Sequence, residues 1–382
     1  MKRIYLDHAA TSFPKAPGVV ENLSHYMSQI GASAGRGAYR EAFEAKKILD
    51  ESRAALAQLF NIPNPSRLVF TLNATDALNL AIKGVLNPGD HVLTSCLEHN
   101  SVSRPLLNLS KNHAVTFTQV KSNVEGQIDW NEFEKAIRPN TKLFAFIHGS
   151  NVSGTLNPIE EIGERARKHG IPFLVDAAQT AGAYPIDVQK MKIDLLAMPG
   201  HKALLGPLGT GALWVREGLE LKTLREGGTG SFSEEDQQPL SWPDIHESGS
   251  HNLVGLVGLK AACEFLKEKG VKKIRQHKMD LLTQFRSGLE KIPTLRIVAP
   301  QKSENNAGVI SLCFEGKSPQ EVASLLDESY RIQVRPGLHC APWAHQNFGT
   351  YPQGSVRFSL GYSNSPEEIE QALRALHVLV SS

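Results

Sequence analysis

The stretch KLFAFIHGSNVSGTLNPIEEIGERARKHGIPFLVDAAQ, Lys142 to Gln179, holds a strand, a helix and a second strand in one reading. KLFAFI and PFLVDA are short apolar runs, the pattern of strands buried on both faces. NPIEEIGERARKHG between them is amphipathic at helical spacing. Its punctuation predicts Asn157 as N-cap, Pro158 at the first helical position, Glu160 closing a capping box and Gly170 as the stop. Strands joined through a helix imply parallel pairing.

The same alternation extends in both directions. RLVFT, DHVLTS, VTFTQV, DLLAM and GALWV are further apolar runs, and DALNLAIKGVL is a further amphipathic segment. The pattern predicts an α/β chain whose large domain is a mostly parallel seven-stranded sheet covered on both faces. Binding residues in such folds gather at the carboxyl ends of the strands. Past Leu253 a long helical stretch, LVGLKAACEFLKEKGVKKIRQH, leads into VISLCFEG, a helix, RIQVR, a loop, SVRFSLG and a last helix. Ser318-Pro319-Gln320-Glu321 and Ser365-Pro366-Glu367-Glu368 each open a helix with a capping box. We therefore expect a large domain over 16–255, and a smaller α+β domain built from 256–382 with residues 1–15 joining it. Between the two lies GGTGSFSEEDQQPLSWPDIHESGSHN, a polar stretch without periodicity that reads as a functional loop.

Composition narrows the function. A net charge of +2 with dispersed basic residues gives no nucleic-acid surface. No apolar run approaches the ~18 residues of a membrane span. The start, MKRIYLDHAATSF, has no apolar core of a signal peptide, so a cytoplasmic location is expected. Cys96, Cys263, Cys313 and Cys340 are far apart and form neither a disulfide framework nor a metal site. Cys96 and Cys313 read as strand residues and Cys263 as a helix residue, all small core hydrophobes. Cys340 differs, lying in a Gly- and Pro-punctuated loop beside His339 and five residues after Arg335.

PGHKALLGPLGTG, Pro199 to Gly211, sets one lysine among glycines and apolar residues. An unpaired buried ammonium tends to lose its proton and become a nucleophilic amine. The alternative is a lysine that reaches the surface along its stem. Asp176 ends the apolar run PFLVDA, where it serves either as a turn residue or as the partner of a buried cation. VFTLNATDALNLAIK reads as strand, loop and helix start; its free N–H groups and the Thr75 hydroxyl form either a phosphate seat or an ordinary cap. A phosphate seat, an acid for a ring nitrogen and a buried amine together describe one ligand, pyridoxal 5′-phosphate.

In order along the chain, YLDHAAT (5–11), NATDALN (73–79), EHNS (98–101), SNVSGT (150–155), VDAAQ (175–179), GHK (200–202), ESGSHN (247–252) and RPGLHCAP (335–342) resemble the class V, fold-type I pyridoxal-phosphate enzymes, and within them the cysteine desulfurase and selenocysteine lyase family. The resemblance implies that Lys202 holds the cofactor as a Schiff base and later moves protons at the substrate. It implies that Asp176 pairs with the pyridine nitrogen, that His99 stacks on one ring face and that Ala178 lies on the other. Gln179 would reach the phenolic oxygen, with Asn151 near that oxygen and the substrate carboxylate. Ala74, Thr75 and His201 would border the phosphate, with Ser250 contributed by the other subunit of a homodimer. Arg357 would clamp the substrate carboxylate, with Arg335 and His339 beside it.

The implied reaction takes L-cysteine, or L-selenocysteine, to L-alanine, with a persulfide on Cys340 and a sulfur-acceptor protein as the partner that collects it. No metal is implied. Two positions depart from the family pattern, Pro199 where a phosphate-binding serine is common and Leu338 where a second histidine is common. The same framework without Cys340 would serve an aminotransferase.

Overall fold

The computed structural model describes residues 3–35, 37–231, 233–292 and 294–381. All seven apolar runs form strands of one sheet. In spatial order these are Leu68–Thr71, Gly211–Val215, Leu195–Pro199, Phe173–Asp176, Thr141–Ile147, His91–Ser95 and Thr116–Val120. Only Gly211–Val215 runs against its neighbours; the other pairings are parallel.

Alternation along each strand builds two cores. Phe173, Val175, Leu196 and Met198 enter a core that also takes residues from helices Arg40–Leu59 and Leu253–Lys269. Leu174, Leu195 and Ala197 point to the opposite face and pack with helix Ala74–Val85. Both faces of the central strands are covered, which is why PFLVDA, DLLAM and GALWV are nearly continuous in apolar residues.

The helix between the quoted strands is Ile159–His169, stopped by Gly170 in the left-handed region at φ 64°. Its expected N-cap is not formed. Asn157 turns inward and donates Nδ2 to the Ile147 carbonyl at 2.6 Å, and no side chain caps the first turn. A carbonyl at the end of a buried central strand has no water to bond, so satisfying it outweighs a cap on a helix end. Both Ser-Pro caps are formed: Ser318 accepts from Glu321 N at 3.2 Å and Ser365 from Glu368 N at 3.3 Å.

A second, antiparallel sheet has the order Arg335–Gly337, Ser355–Ser359, Val309–Phe314, Leu295–Val298. Ile4–Tyr5 pairs in parallel with Ile332–Gln333, and Ile4 and Leu6 pack with the apolar residues of the antiparallel sheet. The long helical stretch breaks at Gly270, φ 85°, into Leu253–Lys269 and Val271–Leu289. The first helix buries its apolar residues under the large sheet, while Leu281 to Leu289 of the second pack under the small one. Cys263 is buried in its helix, and Cys313 lies in Val309–Phe314. Cys96 sits in the turn just past His91–Ser95 rather than in the strand. Among the described residues no helix is long and apolar enough to cross a membrane.

Phe146 is 1% exposed and meets Phe133, Phe144 and Phe173 at ring-centroid distances of 5.7, 6.4 and 6.4 Å. Phe146→Ala should cost about 3–5 kcal/mol in urea unfolding of the apo-protein. A loss below about 1 kcal/mol would show this cluster is not the packed centre of the large unit.

Candidate active site

Adjacent strands deliver the two central groups. Phe173–Asp176 pairs with Leu195–Pro199, Asp176 opposite Ala197, and the chain then turns through Gly200 to Lys202. Gly200 N donates to Thr210 O at 2.8 Å, and a Cβ there would stand 2.1 Å from Thr210 Oγ1, so this turn needs glycine. Burial lowers the Lys202 pKa to about 8; the Asp176 charge opposes this, and Arg357 and Arg335 reinforce it. The amine forms no hydrogen bond or ion pair among the described residues. Asp176 is 2% exposed, and its Oδ1 accepts from Ala178 N at 2.8 Å. Burial raises its pKa, opposed by that N–H and by Lys202.

Around this pair lies a cleft of about 420 Å³, walled by every expected cofactor residue except Ser250. Ala74 and Thr75 open helix Ala74–Val85, whose cap Asn73 accepts from Asp76 N at 3.0 Å. Thr75 Oγ1 is 2.7 Å from Ser101 Oγ. His99 caps helix Asn100–Asn112, its Nδ1 accepting from Ser101 N at 3.1 Å, so it is a cap and a cleft wall at once. Burial, then the charges of Lys202 and Arg335, push its pKa down to about 3, leaving a neutral ring. His201 Nδ1 is 3.1 Å from Thr11 Oγ1, and Gln179 Nε2 donates to Ala9 O at 3.1 Å. Ser250 is exposed and lines a neighbouring cavity with Phe70 and Gly209 instead.

The smaller sheet supplies the remaining groups. Arg357, in Ser355–Ser359, is 1% exposed rather than solvent-facing. Its Nη2 donates to Asp7 Oδ1 at 2.7 Å and its Nη1 to Asn151 O at 3.2 Å, while its buried Nε has no partner. Cys340 is exposed, with Arg335 Nη2 3.8 Å from its Sγ. The loop is pinned on both sides of the thiol. Asn100 N donates to Cys340 O at 2.7 Å, and Asn151 Nδ2 to His339 O at 2.6 Å. His339 and Cys340 hold φ of 49° and 56°, a region non-glycine residues seldom occupy. Burial, then Arg357, lowers the His339 pKa to about 2, and its Nε2 lies 3.2 Å from Ser355 Oγ.

Two acidic residues at this site went unread in the sequence. Asp7, inside YLDHAAT, pairs with Arg357 across most of the chain. Glu98, inside EHNS, is fully buried; its Oε1 accepts from Ile147 N at 2.9 Å and from the Ser95 hydroxyl at 2.5 Å. Burial pushes its pKa up to about 8. The motifs that flank them were the available signal.

Residues 4–372 match the family model described as aminotransferase class-V. The chain belongs to the class-V aminotransferase family, whose members depend on pyridoxal phosphate. Among its relatives is a probable cysteine desulfurase of Methanothermobacter thermautotrophicus, 33% identical over 96% of this chain and 92% of that protein. Another, from Pyrococcus abyssi, is 33% identical over 99% of this chain and 94% of the relative. The apo cysteine desulfurase of Thermococcus onnurineus has a similar structure, with TM-score 0.94, 32% identity and coverage of 99% and 95% of the two chains.

The residues present fit this cofactor. A half-buried amine without an ion pair suits an aldehyde, and a buried carboxylate suits a protonated ring nitrogen. Asn151 Oδ1 is buried and makes no hydrogen bond within the protein, so a donor on a ligand would satisfy it.

A lysine with a lowered pKa is protonated and inert below that value and nucleophilic above it. In the apo-protein, modification of Lys202 by an amine-directed reagent, followed by mass spectrometry, should rise with a midpoint near pH 8. A midpoint above about 10, the ordinary lysine value, would contradict the burial argument.

Proposed function

We propose that this chain is a pyridoxal-phosphate-dependent cysteine desulfurase, converting L-cysteine to L-alanine and leaving a persulfide on Cys340. One observation carries the reading: of the four thiols, Cys340 alone is exposed, on a loop tied to the cleft through Asn151 and Asn100. An aminotransferase of this family has no use for such a thiol. The named relatives support the same choice.

When bound, pyridoxal phosphate supplies an electron sink next to the substrate α-carbon. Asp176 keeps a proton on the ring nitrogen by its charge. Lys202, poised near pH 8, takes the α-proton and returns it. Arg357 grips the substrate carboxylate, and Asp7 and the Asn151 carbonyl hold the guanidinium in place. Arg335 Nη2 stands 3.8 Å from the Cys340 sulfur. As a thiolate, the Cys340 sulfur attacks the substrate sulfur. The new bond is S–S, the broken bond is Cβ–S, and the electron pair left on Cβ is protonated to the alanine methyl. Cysteine and thiol thus become alanine and persulfide, with no outside oxidant or reductant. The reading includes a homodimer in which Ser250 reaches the neighbouring cleft, and a sulfur-acceptor protein. Selenocysteine would engage the same groups.

Cys340→Ala should lower alanine formation from cysteine at least a hundredfold and remove the persulfide from the peptide containing position 340. Alanine released by that variant at the wild-type rate would place the nucleophile elsewhere. Amine transfer to an oxo acid, undiminished in the variant, would favour the aminotransferase.

A further inference from the structure

Leu68–Thr71 is an edge strand of the large sheet, with Gly211–Val215 on one side and no strand on the other among the described residues. An ion pair takes the place of a strand there. Arg53, from helix Arg40–Leu59, donates Nη1 to the Leu68 carbonyl, and Glu247 Oε1 accepts from Phe70 N at 2.5 Å. The two side chains are themselves bidentate, Nη1–Oε1 and Nη2–Oε2 both at 2.8 Å, and both residues are buried. His251 Nε2 lies 2.9 Å from Glu247 Oε2. Burial alone would raise the Glu247 pKa; the bonds from His251 and Arg53 and the Arg53 charge override it and hold the value at about 2.

From this carboxylate the backbone runs to each residue expected at the cofactor phosphate. Phe70 leads through Thr71, whose Oγ1 donates to Asn73 O at 2.9 Å, into Asn73 and Thr75. Gly211 has no room for a Cβ, which would stand 2.6 Å from the Asn73 carbonyl carbon, so that segment has little slack on its inner side. On the other side His251 leads to Asn252, whose Nδ2 donates to Gly209 O at 2.9 Å. Thr210 O then accepts from Gly200 N at 2.8 Å, one residue before His201. Ser250 lies between Glu247 and His251. We propose that Glu247, clamped by Arg53, is a positioning residue that sets the phosphate end of its own cofactor site through Thr75 and His201, and that of the neighbouring subunit's site through Ser250. The inference rests on the cofactor reading above and adds a residue to it that touches neither cofactor nor substrate.

Only a carboxylate can accept all four of these contacts. Glutamine has nearly the same volume but one acceptor oxygen, and its NH₂ would face a donor. The test titrates apo-protein with pyridoxal 5′-phosphate and, separately, with pyridoxal, following absorbance of the imine on Lys202. Glu247→Gln should weaken pyridoxal phosphate binding at least tenfold and leave pyridoxal binding within about twofold of wild type. Equal loss for both aldehydes would mean general loosening, and no loss for either would mean no positioning role; each overturns the proposal. Should Glu247→Gln fail to fold, His251→Ala, at a side chain 20% exposed, should show the same phosphate-selective loss, at about threefold; an unselective loss or none overturns it. If wild type takes up neither aldehyde, the cofactor reading itself fails and this inference falls with it.

Discussion

The site is arranged around a half-buried amine and a fully buried carboxylate just past the ends of neighbouring strands, without a direct ion pair. Burial works against the charge on each: Lys202 is brought down to about 8, and Asp176 is pushed up. Each pKa unit corresponds to about 1.4 kcal/mol of differential stabilisation. A polar pair left in that state is costly unless the surrounding fold holds it. The sheet does so. Parallel strands buried on both faces fix Asp176 opposite Ala197, and the Gly200 turn, closed by Thr210, fixes Lys202.

The smaller sheet adds what the larger one lacks. Arg357 approaches the cleft from a separate core and the Cys340 loop from a cluster that joins Ala341 to Leu97 and Ile147, and Asn151 bonds to both, through its carbonyl and its side-chain amide. A guanidinium buried at 1% exposure is held by one carboxylate and one carbonyl, with Nε left over. Such an arrangement favours an anionic ligand group. The thiol remains outside this dry region, exposed on a loop whose two consecutive left-handed residues aim it away from regular structure.

Local signals were legible and long-range ones were not. Seven apolar runs became seven strands, most plainly in the centre of the sheet, where burial on both faces leaves few polar positions to blur the pattern; Thr116–Val120, at the edge, is only partly buried. Ser318 and Ser365 could be read as caps because cap and amide lie three residues apart. Asn157 looked equally good, but the Ile147 carbonyl, ten residues back and buried, claimed its side chain. The break at Gly270 was hidden because an amphipathic pattern continues across it. Asp7, Glu98 and Glu247 were passed over for one reason: an isolated acid has no meaning until its partner arrives. Those partners lie at Arg357, Ile147 and Arg53, remote in sequence. The thiol at Cys340 and the amine at Lys202 stood out because their own neighbours were unusual.

The most direct measurement is to reduce the pyridoxal-phosphate-loaded protein with borohydride, digest it and map the modified peptide by mass spectrometry. A stable phosphopyridoxyl adduct is expected on Lys202 and on no other lysine. An unmodified Lys202 in protein that has bound the cofactor, or an adduct on Lys15 or Lys278 in its place, would contradict it.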